Sequence, residues 1–157
     1  MEDGDVRFFA DTMLGRLAKW LRIMGFDTHY QPYFDEMIAN RIIEAGFIFI
    51  SRQRQRTRNY KNSIYISSDT VRGQLQELKK GEYIPSYRSK WFKRCLICNV
   101  ILSEVQDVET SENIPEYILY QNKTGIYMCP SCNRYFWPGS HRNRMINQLK
   151  TWGIIVD

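Results

Sequence analysis

The sequence lacks any long apolar run, and it is sparing in glycine and proline, with 9 and 5 among its 157 residues. No run approaches the ~20 apolar residues that a membrane-spanning helix requires. The low glycine and proline counts exclude a collagen-like or low-complexity chain, and the hydrophobic fraction of 43% is typical of a globular one. We therefore expect a soluble globular protein that has no membrane partner.

Cysteine is absent outside two Cys-x-x-Cys pairs. Cys95 and Cys98 form the first pair, and Cys129 and Cys132 form the second after thirty intervening residues. The N-terminal stretch MEDGDVRFF is acidic and has neither the basic start nor the apolar segment of a secretory signal. We therefore expect a cytoplasmic protein whose thiols are reduced.

Four thiolates in two such pairs supply a complete tetrahedral set for one Zn²⁺ ion. Because the protein fills all four positions, this zinc is expected to be structural, and its binding energy would fold a module too small for its own core. The order strand, cysteine pair, strand, cysteine pair predicts a zinc ribbon over residues 94–141. Two disulfides or a redox-active pair are the alternative interpretation.

Short β-branched or aromatic runs alternate with amphipathic stretches over residues 6–80. This alternation predicts an α/β domain with a mainly parallel sheet. Strands are expected at 6–10, 26–30, 47–50 and 64–66, and helices after the first, second and fourth of them. The first helix would place Arg16, Lys19 and Arg22 off its apolar face, and Ser68 or Asp69 would cap the third. Residues 52–62 are expected to form a loop, 81–93 a basic linker and 142–157 a C-terminal helix and tail.

Acidic residues are rare in the middle of the chain, where residues 50–94 contain twelve basic and three acidic side chains, a net charge of +9. The flanking segments carry −3 and −1. Guanidinium and ammonium groups in such a segment can contact the phosphates of a nucleic acid, and a solvated loop is the alternative interpretation. The candidate RNA-contacting residues are Arg52, Arg54, Arg56, Arg58, Lys61, Arg88, Lys90, Lys93 and Arg94.

Aromatic residues lie among these basic side chains. Tyr60, Tyr83, Tyr87 and Trp91 either stack on unpaired bases, which favours single-stranded or irregular RNA, or pack between the two modules.

Carboxylates follow the predicted strands. Asp11 comes directly after the first strand, Asp35 and Glu36 open the second helix, and Asp69 follows the fourth strand. Active groups of a parallel sheet lie beyond the carboxyl ends of its strands, so these acids could converge and bind Mg²⁺ or Mn²⁺ for attack of water on a phosphodiester. Alternatively, Asp35 and Asp69 only cap their helices.

Five segments, in this order, carry a family resemblance: RFFADTMLGRLAKWLRIMGFDTHY, FISRQ, SSDTVRGQL, RCLICN and MCPSCNRYFWPGSH. They resemble the Mut-seven C-terminal RNase family, in which a PIN-like nuclease domain precedes a zinc ribbon. The resemblance implies a ribonuclease or RNA-binding role, with Asp11 as the first metal-binding acid. It also implies that Asp35 or Glu36 supplies the second acid, with Asp69 ranking behind them.

One position departs from this family pattern. The family usually has Thr-Arg-Asp after the third strand, where this chain has Ser51, Arg52 and Gln53. The amide of Gln53 adds no negative charge and is a poorer ligand for a hard divalent cation. The sequence therefore predicts a metal-dependent ribonuclease, a hydrolase of phosphodiester bonds, or alternatively an RNA-binding protein with a weakened or inactive site.

His141 lies nine residues after the last cysteine, in the stretch WPGSH. It is redundant as a zinc ligand, and a structural hydrogen bond is the simplest interpretation. Because this stretch belongs to the family pattern, we also include His141 among the candidate RNA-contacting residues.

Overall fold

The computed structural model describes residues 5–85, 88–106, 114–121 and 124–155. Its first part contains four strands, β1 (Phe8–Ala10), β2 (Thr28–Tyr30), β3 (Ile48–Ser51) and β4 (Ser63–Tyr65). They form one parallel sheet in the order β2-β1-β3-β4. The predicted α/β class with a parallel sheet is confirmed.

A helix follows each strand of this sheet. They are α1 (Gly15–Ile23), α2 (Glu36–Glu44), α3 (Arg54–Arg58) and α4 (Val71–Lys80). The N-cap of α4 is Thr70, whose hydroxyl accepts from the Gly73 amide at 3.1 Å, so the expectation that Ser68 or Asp69 caps this helix was wrong.

Both faces of the sheet are covered. In β1, Phe8 and Ala10 join a core with α1 and α4, whereas Phe9 joins Phe49 and Ala39 in a second core under α2. Successive strand residues point to opposite faces, so a strand buried on both sides is apolar throughout. This burial explains the uninterrupted apolar run that precedes Asp11.

The short helix α3 contradicts the expected loop over residues 52–62. It has no apolar period and only five residues, too few to be stable through backbone hydrogen bonds alone. Side-chain contacts hold it instead: the Arg54 guanidinium lies 4.3 Å from the centre of the Tyr65 ring, and Arg56 lies 4.2 Å from that of Phe34.

The second part of the chain contains a small antiparallel sheet. Its strands are β5 (Ser103–Glu104), β6 (Tyr127–Met128) and β7 (Tyr135–Phe136), and α5 (Glu116–Gln121) lies between β5 and β6. Each cysteine pair is followed by an asparagine at positive φ, Asn99 at 62° and Asn133 at 61°. Asparagine tolerates this left-handed conformation, so both turns reverse the chain in the same way.

The ribbon packs against the amino end of the parallel sheet. The Arg22 guanidinium donates to the carbonyls of Thr28, at 3.0 Å, and Leu96, at 2.8 Å. The Asn99 amide donates to the Asp27 carboxylate at 2.6 Å. Arg22 is buried, which lowers its pKa, and its expected exposure on α1 was wrong. This arginine connects the first cysteine turn to the α/β domain.

The last helix, α6 (Ser140–Thr151), returns the chain to the α/β domain. Leu149 and Ile154 join the core of α1 and α4, and the Trp152 ring lies 5.1 Å from that of Trp20. Within the described parts of the chain, no helix is long and apolar enough to cross a membrane.

Candidate functional site

Asp11 lies just beyond the carboxyl end of β1 and is only 2% exposed. Its Oδ2 accepts a hydrogen bond from the Ser51 hydroxyl at 2.6 Å, and its Oδ1 accepts from the Thr12 amide at 2.7 Å. Ser51 ends β3, the neighbour of β1, and the register Ala10 to Ile50 brings the two strand ends together. The role of Ser51 was not predicted from the sequence. The apolar runs of β1 and β3 end at Ala10 and Ile50, which pair in the sheet, and this could have indicated that Asp11 and Ser51 are neighbours.

Arg56 makes an ion pair with Asp11. One of its terminal nitrogens, Nη1, lies 2.8 Å from Oδ1 and 3.0 Å from Oδ2 of that carboxylate. The pair brings a residue of the predicted phosphate-binding segment into contact with the predicted first metal-binding acid. The charge of Asp11 is therefore already balanced within the protein.

The other predicted acids take different positions. Asp35 is the N-cap of α2, where its Oδ1 accepts from the Ile38 amide at 3.0 Å. Glu36 is exposed; it raises the pKa of Tyr60 after the larger effect of burial, and Arg56 opposes that rise. Glu36 begins α2, which shares a core with Phe34, the ring against which Arg56 lies, so both residues are on the same side of the sheet. Asp69 is exposed and lines a groove beside α1 with Met13 and Arg16.

This arrangement does not fit a divalent cation at Asp11. Both oxygens of the carboxylate are engaged by a guanidinium, a hydroxyl and an amide. Among residues 5–85, 88–106, 114–121 and 124–155, no three carboxylates or imidazoles come close enough to share an ion. Mg²⁺ and Mn²⁺ need several oxygen ligands around one point. The predicted convergence of Asp11 with the other three acids is not observed.

Gln53 directly precedes α3 and does not supply a missing ligand. Its side chain is exposed and makes no capping hydrogen bond, although it occupies the N-cap position. Its backbone amide donates to the Ser51 hydroxyl at 2.9 Å, the same hydroxyl that binds Asp11. The backbone of Gln53 therefore supports Ser51, while its side chain is free of the site.

The predicted RNA-contacting cations separate into two groups. Arg54 and Arg58 are exposed on α3, which begins at the carboxyl edge of the sheet, and Arg52 there is half-buried, with its Nη2 3.4 Å from the Ser67 carbonyl. Lys61 is exposed two residues before β4, towards the amino end of that strand. The remaining four precede the ribbon at the opposite edge and are described next.

In this second group, Lys90 pairs with Asp5, and Arg94 donates to the Asn99 carbonyl at 2.7 Å. The Arg88 guanidinium lies 5.7 Å from the centre of the Trp91 ring, and Lys93 is exposed.

Most of the interleaved aromatic residues pack inside the protein. Trp91 is 5% exposed and joins the core of α1 and α4, against which Tyr83 also packs. The Tyr60 ring lies 5.3 Å from that of Phe49. Tyr87 lies outside the described residues. For these three, the packing interpretation is the one that the contacts support.

The four cysteines form a cluster with the geometry of a tetrahedral metal site. Their sulfur atoms all lie within 4.8 Å of one another, and Cys95 Sγ is 3.8 Å from Cys132 Sγ. Zn–S bonds of about 2.3 Å in a tetrahedron give S–S separations of about 3.8 Å. The amides of Cys98 and Cys132 also point to the sulfur of the first cysteine in their own pair, at 3.4 and 3.5 Å. These residues are positioned to hold a metal ion, and four sulfurs suit structural zinc.

His141 lies on the first turn of α6, exposed to solvent. It is not part of the cysteine cluster. It lines a cavity with Arg142 and several aromatic side chains. This cavity was not predicted, because its walls come from four separate parts of the chain.

A parallel sheet with an acid at the end of its first strand, followed by a four-cysteine ribbon, defines an α/β protein with an appended metal-binding module. The chain matches the family model of the Mut7-C RNAse domain over residues 6–149 and belongs to that family, as the resemblance predicts. Membership indicates an RNase-type function, with RNA as substrate or partner. Neither a curated protein nor a solved structure matches the chain.

Proposed function

We propose that this protein binds RNA at the carboxyl edge of its parallel sheet, with Asp11 held by Arg56 in an arrangement that does not cleave. The Asp11–Arg56 ion pair carries this proposal. It balances the one buried carboxylate at that edge, and the usual acid at position 53 is replaced by an amide. A site without a net negative charge has little affinity for a hard divalent cation.

RNA contact is supported by the exposed cations around this pair. Arg54 and Arg58 are exposed on α3, the helix that also carries Arg56. The phosphates of a single strand would pair with these side chains and displace condensed counterions, so binding would weaken as salt rises.

The test measures the affinity of the full chain for a fluorescent single-stranded RNA at several salt concentrations. The logarithm of the association constant falls as the logarithm of the salt concentration rises, and each lost phosphate contact makes this slope less steep by about 0.7. The double variant Arg54→Gln with Arg58→Gln should reduce it by about 1.4. Arg41→Gln on α2 is the matched control, since Arg41 is exposed on a different part of the domain. Equal slopes for all three proteins would contradict RNA binding at this edge.

A second candidate function is ribonuclease activity dependent on Mg²⁺ or Mn²⁺, supplied by Asp11 with Asp35, Glu36 and Asp69. Membership of an RNase family favours it, as does the burial of Asp11 at the sheet edge where α/β active groups lie. For this function Arg56 must first leave the carboxylate. The Ser63 hydroxyl donates to the Thr57 carbonyl at 2.7 Å, so the backbone of α3 is attached to the sheet, and the required change is a rotation of the Arg56 side chain away from Asp11.

Cleavage assays separate the two candidates. RNA should be incubated with Mg²⁺ or Mn²⁺ and with wild type, Asp11→Asn, Arg56→Gln or Gln53→Asp. Binding without cleavage by any of the four selects the RNA-binding function. Cleavage that Asp11→Asn abolishes, and that Arg56→Gln or Gln53→Asp increases, selects the ribonuclease. Equal cleavage by wild type and Asp11→Asn indicates a contaminating nuclease.

A further inference from the structure

The ribbon and the start of α6 enclose a cavity of about 440 Å³, which lies within the size range of ligand clefts. Its described lining residues are Phe92, Arg94, Leu96, Tyr117, Gly125, Tyr135, Phe136, Trp137, Gly139, Ser140, His141, Arg142 and Met145. Five of these thirteen are aromatic, three are arginine or histidine, and none is acidic. Aromatic walls with cationic groups suit a flat, electron-rich ring attached to an anion.

Some of these aromatic side chains also contribute to the protein core. Phe136 packs on the cysteine cluster, and Tyr135 and Trp137 pack beside Ile118 and Ile126. Tyr117 belongs to none of the core clusters and is 62% exposed. Among the five aromatic lining residues, Tyr117 is therefore the ring most open to a stacking partner from outside.

The cationic groups are arranged beside these rings. The Arg142 guanidinium lies 4.5 Å from the centre of the Phe92 ring. This contact holds the guanidinium against the wall of the cavity. His141, its neighbour on α6, has no hydrogen bond or ion pair with the described residues. Arg94 also lines the cavity, and its guanidinium donates to the Asn99 carbonyl at 2.7 Å, so three groups that can carry positive charge border the cavity and suit a phosphate.

The cavity is separate from the site at Asp11. Phe92 donates its backbone N–H to the Ile23 carbonyl, and the Arg94 guanidinium lies 3.4 Å from the Gly25 carbonyl, so this wall packs on the end of α1. Gly25 lies between α1 and β2, at the amino end of the sheet, whereas Asp11 follows β1 at the carboxyl end. Three strand residues separate the two ends, a distance of about 10 Å.

We propose that this cavity binds one unpaired nucleotide of an RNA strand, with the base stacked on Tyr117 and the phosphate near Arg142 and His141. The inference rests on the proposed function, because it assumes that the chain binds RNA. The described lining of the cavity includes Arg94, His141 and Arg142 and no carboxylate, and this charge distribution favours a polyanion as the ligand. The aromatic walls favour exposed bases, which duplex RNA does not offer.

Two pairs of matched variants test this site by fluorescence anisotropy with single-stranded RNA. Tyr117→Ala is compared with Tyr120→Ala, since both tyrosines are exposed on α5 and only Tyr117 lines the cavity. Arg142→Gln is compared with Arg144→Gln on α6, where only Arg142 lines it. Loss of one base stack should weaken binding by about 5- to 150-fold for Tyr117→Ala. The two control variants should bind as wild type does.

An abasic oligonucleotide of equal length distinguishes stacking from charge. Wild type should prefer the base-containing strand, and Tyr117→Ala should lose most of that preference, whereas Arg142→Gln should weaken both strands. If each cavity variant behaves like its control while Arg54→Gln with Arg58→Gln still weakens binding, the cavity is not a nucleotide site and the proposed function stands. If wild type binds no RNA, the proposed function fails, and this inference fails with it.

Discussion

The ion pair between Arg56 and Asp11 leads to a quantitative prediction about stability. Replacing Arg56 by Gln leaves a buried carboxylate with only the Ser51 hydroxyl and the Thr12 amide as partners. Removing one partner of a buried pair costs about 3–5 kcal/mol, and an exposed pair contributes about 0–1 kcal/mol. The Asp11 side chain is 1% exposed and that of Arg56 is 28% exposed. We therefore expect Arg56→Gln to lower the free energy of unfolding by about 2–3 kcal/mol.

A double-mutant cycle isolates the interaction between the two residues. Asp11→Asn should cost less than Arg56→Gln, because the Asn oxygen can still accept from the Thr12 amide, its NH₂ group can donate to the Ser51 hydroxyl oxygen, and Arg56 can turn to solvent. The double variant should be more stable than the sum of the two single losses predicts, by about 1–2 kcal/mol. Arg58→Gln is the control on the same helix, and as an exposed side chain it should change stability by less than about 0.5 kcal/mol.

The free energies of unfolding come from urea titrations of the zinc-loaded proteins. Two independent probes monitor each titration, and coincident curves verify a two-state transition. In a thermal melt the Arg56→Gln change corresponds to about 5–10 °C. Losses that add within about 0.3 kcal/mol would refute the reasoning, because the two charges would then be independent. A value for Arg56→Gln equal to that of Arg58→Gln would refute it as well.

Three further predictions concern the ribbon and its attachment. Cys95→Ser should lose the bound metal and unfold the ribbon, as followed by zinc content and a thermal melt; full zinc occupancy with unchanged stability would contradict the metal assignment. Arg22→Met should leave the Thr28 and Leu96 carbonyls without their buried donor and cost about 2–4 kcal/mol, with faster hydrogen exchange in the ribbon; unchanged exchange would show that Arg22 does not attach it. Gly25→Ala should cost about 2 kcal/mol or more by urea unfolding, because Gly25 has a φ of 91° and its Cβ would meet the Lys90 backbone; a cost below about 0.5 kcal/mol would contradict this.

The parallel sheet could be predicted because its two central strands, β1 and β3, are buried on both faces. Phe8, Phe9 and Ala10 are all fully or nearly fully buried, so the run that contains them has no polar break until Asp11. The cysteine cluster could be predicted for a related reason, since each pair closes its own turn within a few residues. In both cases the residues that determine the structure lie within a few positions of one another in the sequence.

The contacts that define the candidate site are not local in this sense. Arg56 pairs with an acid 45 positions away, and Arg22 binds the Leu96 carbonyl 74 positions away. Each arginine belongs to a stretch that, on periodicity alone, resembles a solvated face or loop. Only the packing of the strand ends and of the ribbon brings these partners together, so the sequence predicted the acid and the cations without their pairing.

Gln53 and Arg56 are best understood as parts of one charge balance. An acid at position 53 would add a second negative charge close to Ser51, whose hydroxyl binds both Asp11 and the residue-53 amide, and this charge would favour a cation. With Gln53, Arg56 neutralises Asp11 completely. An aspartate at this position would also cap α3, where Gln53 makes no capping bond, and would thereby steady the helix that carries Arg56. Gln53→Asp alone therefore has two opposing effects. It adds a negative charge, which favours a metal ion, and it stabilises the helix that carries Arg56, which competes with the metal ion for Asp11. The variant expected to gain most metal affinity is Gln53→Asp combined with Arg56→Gln.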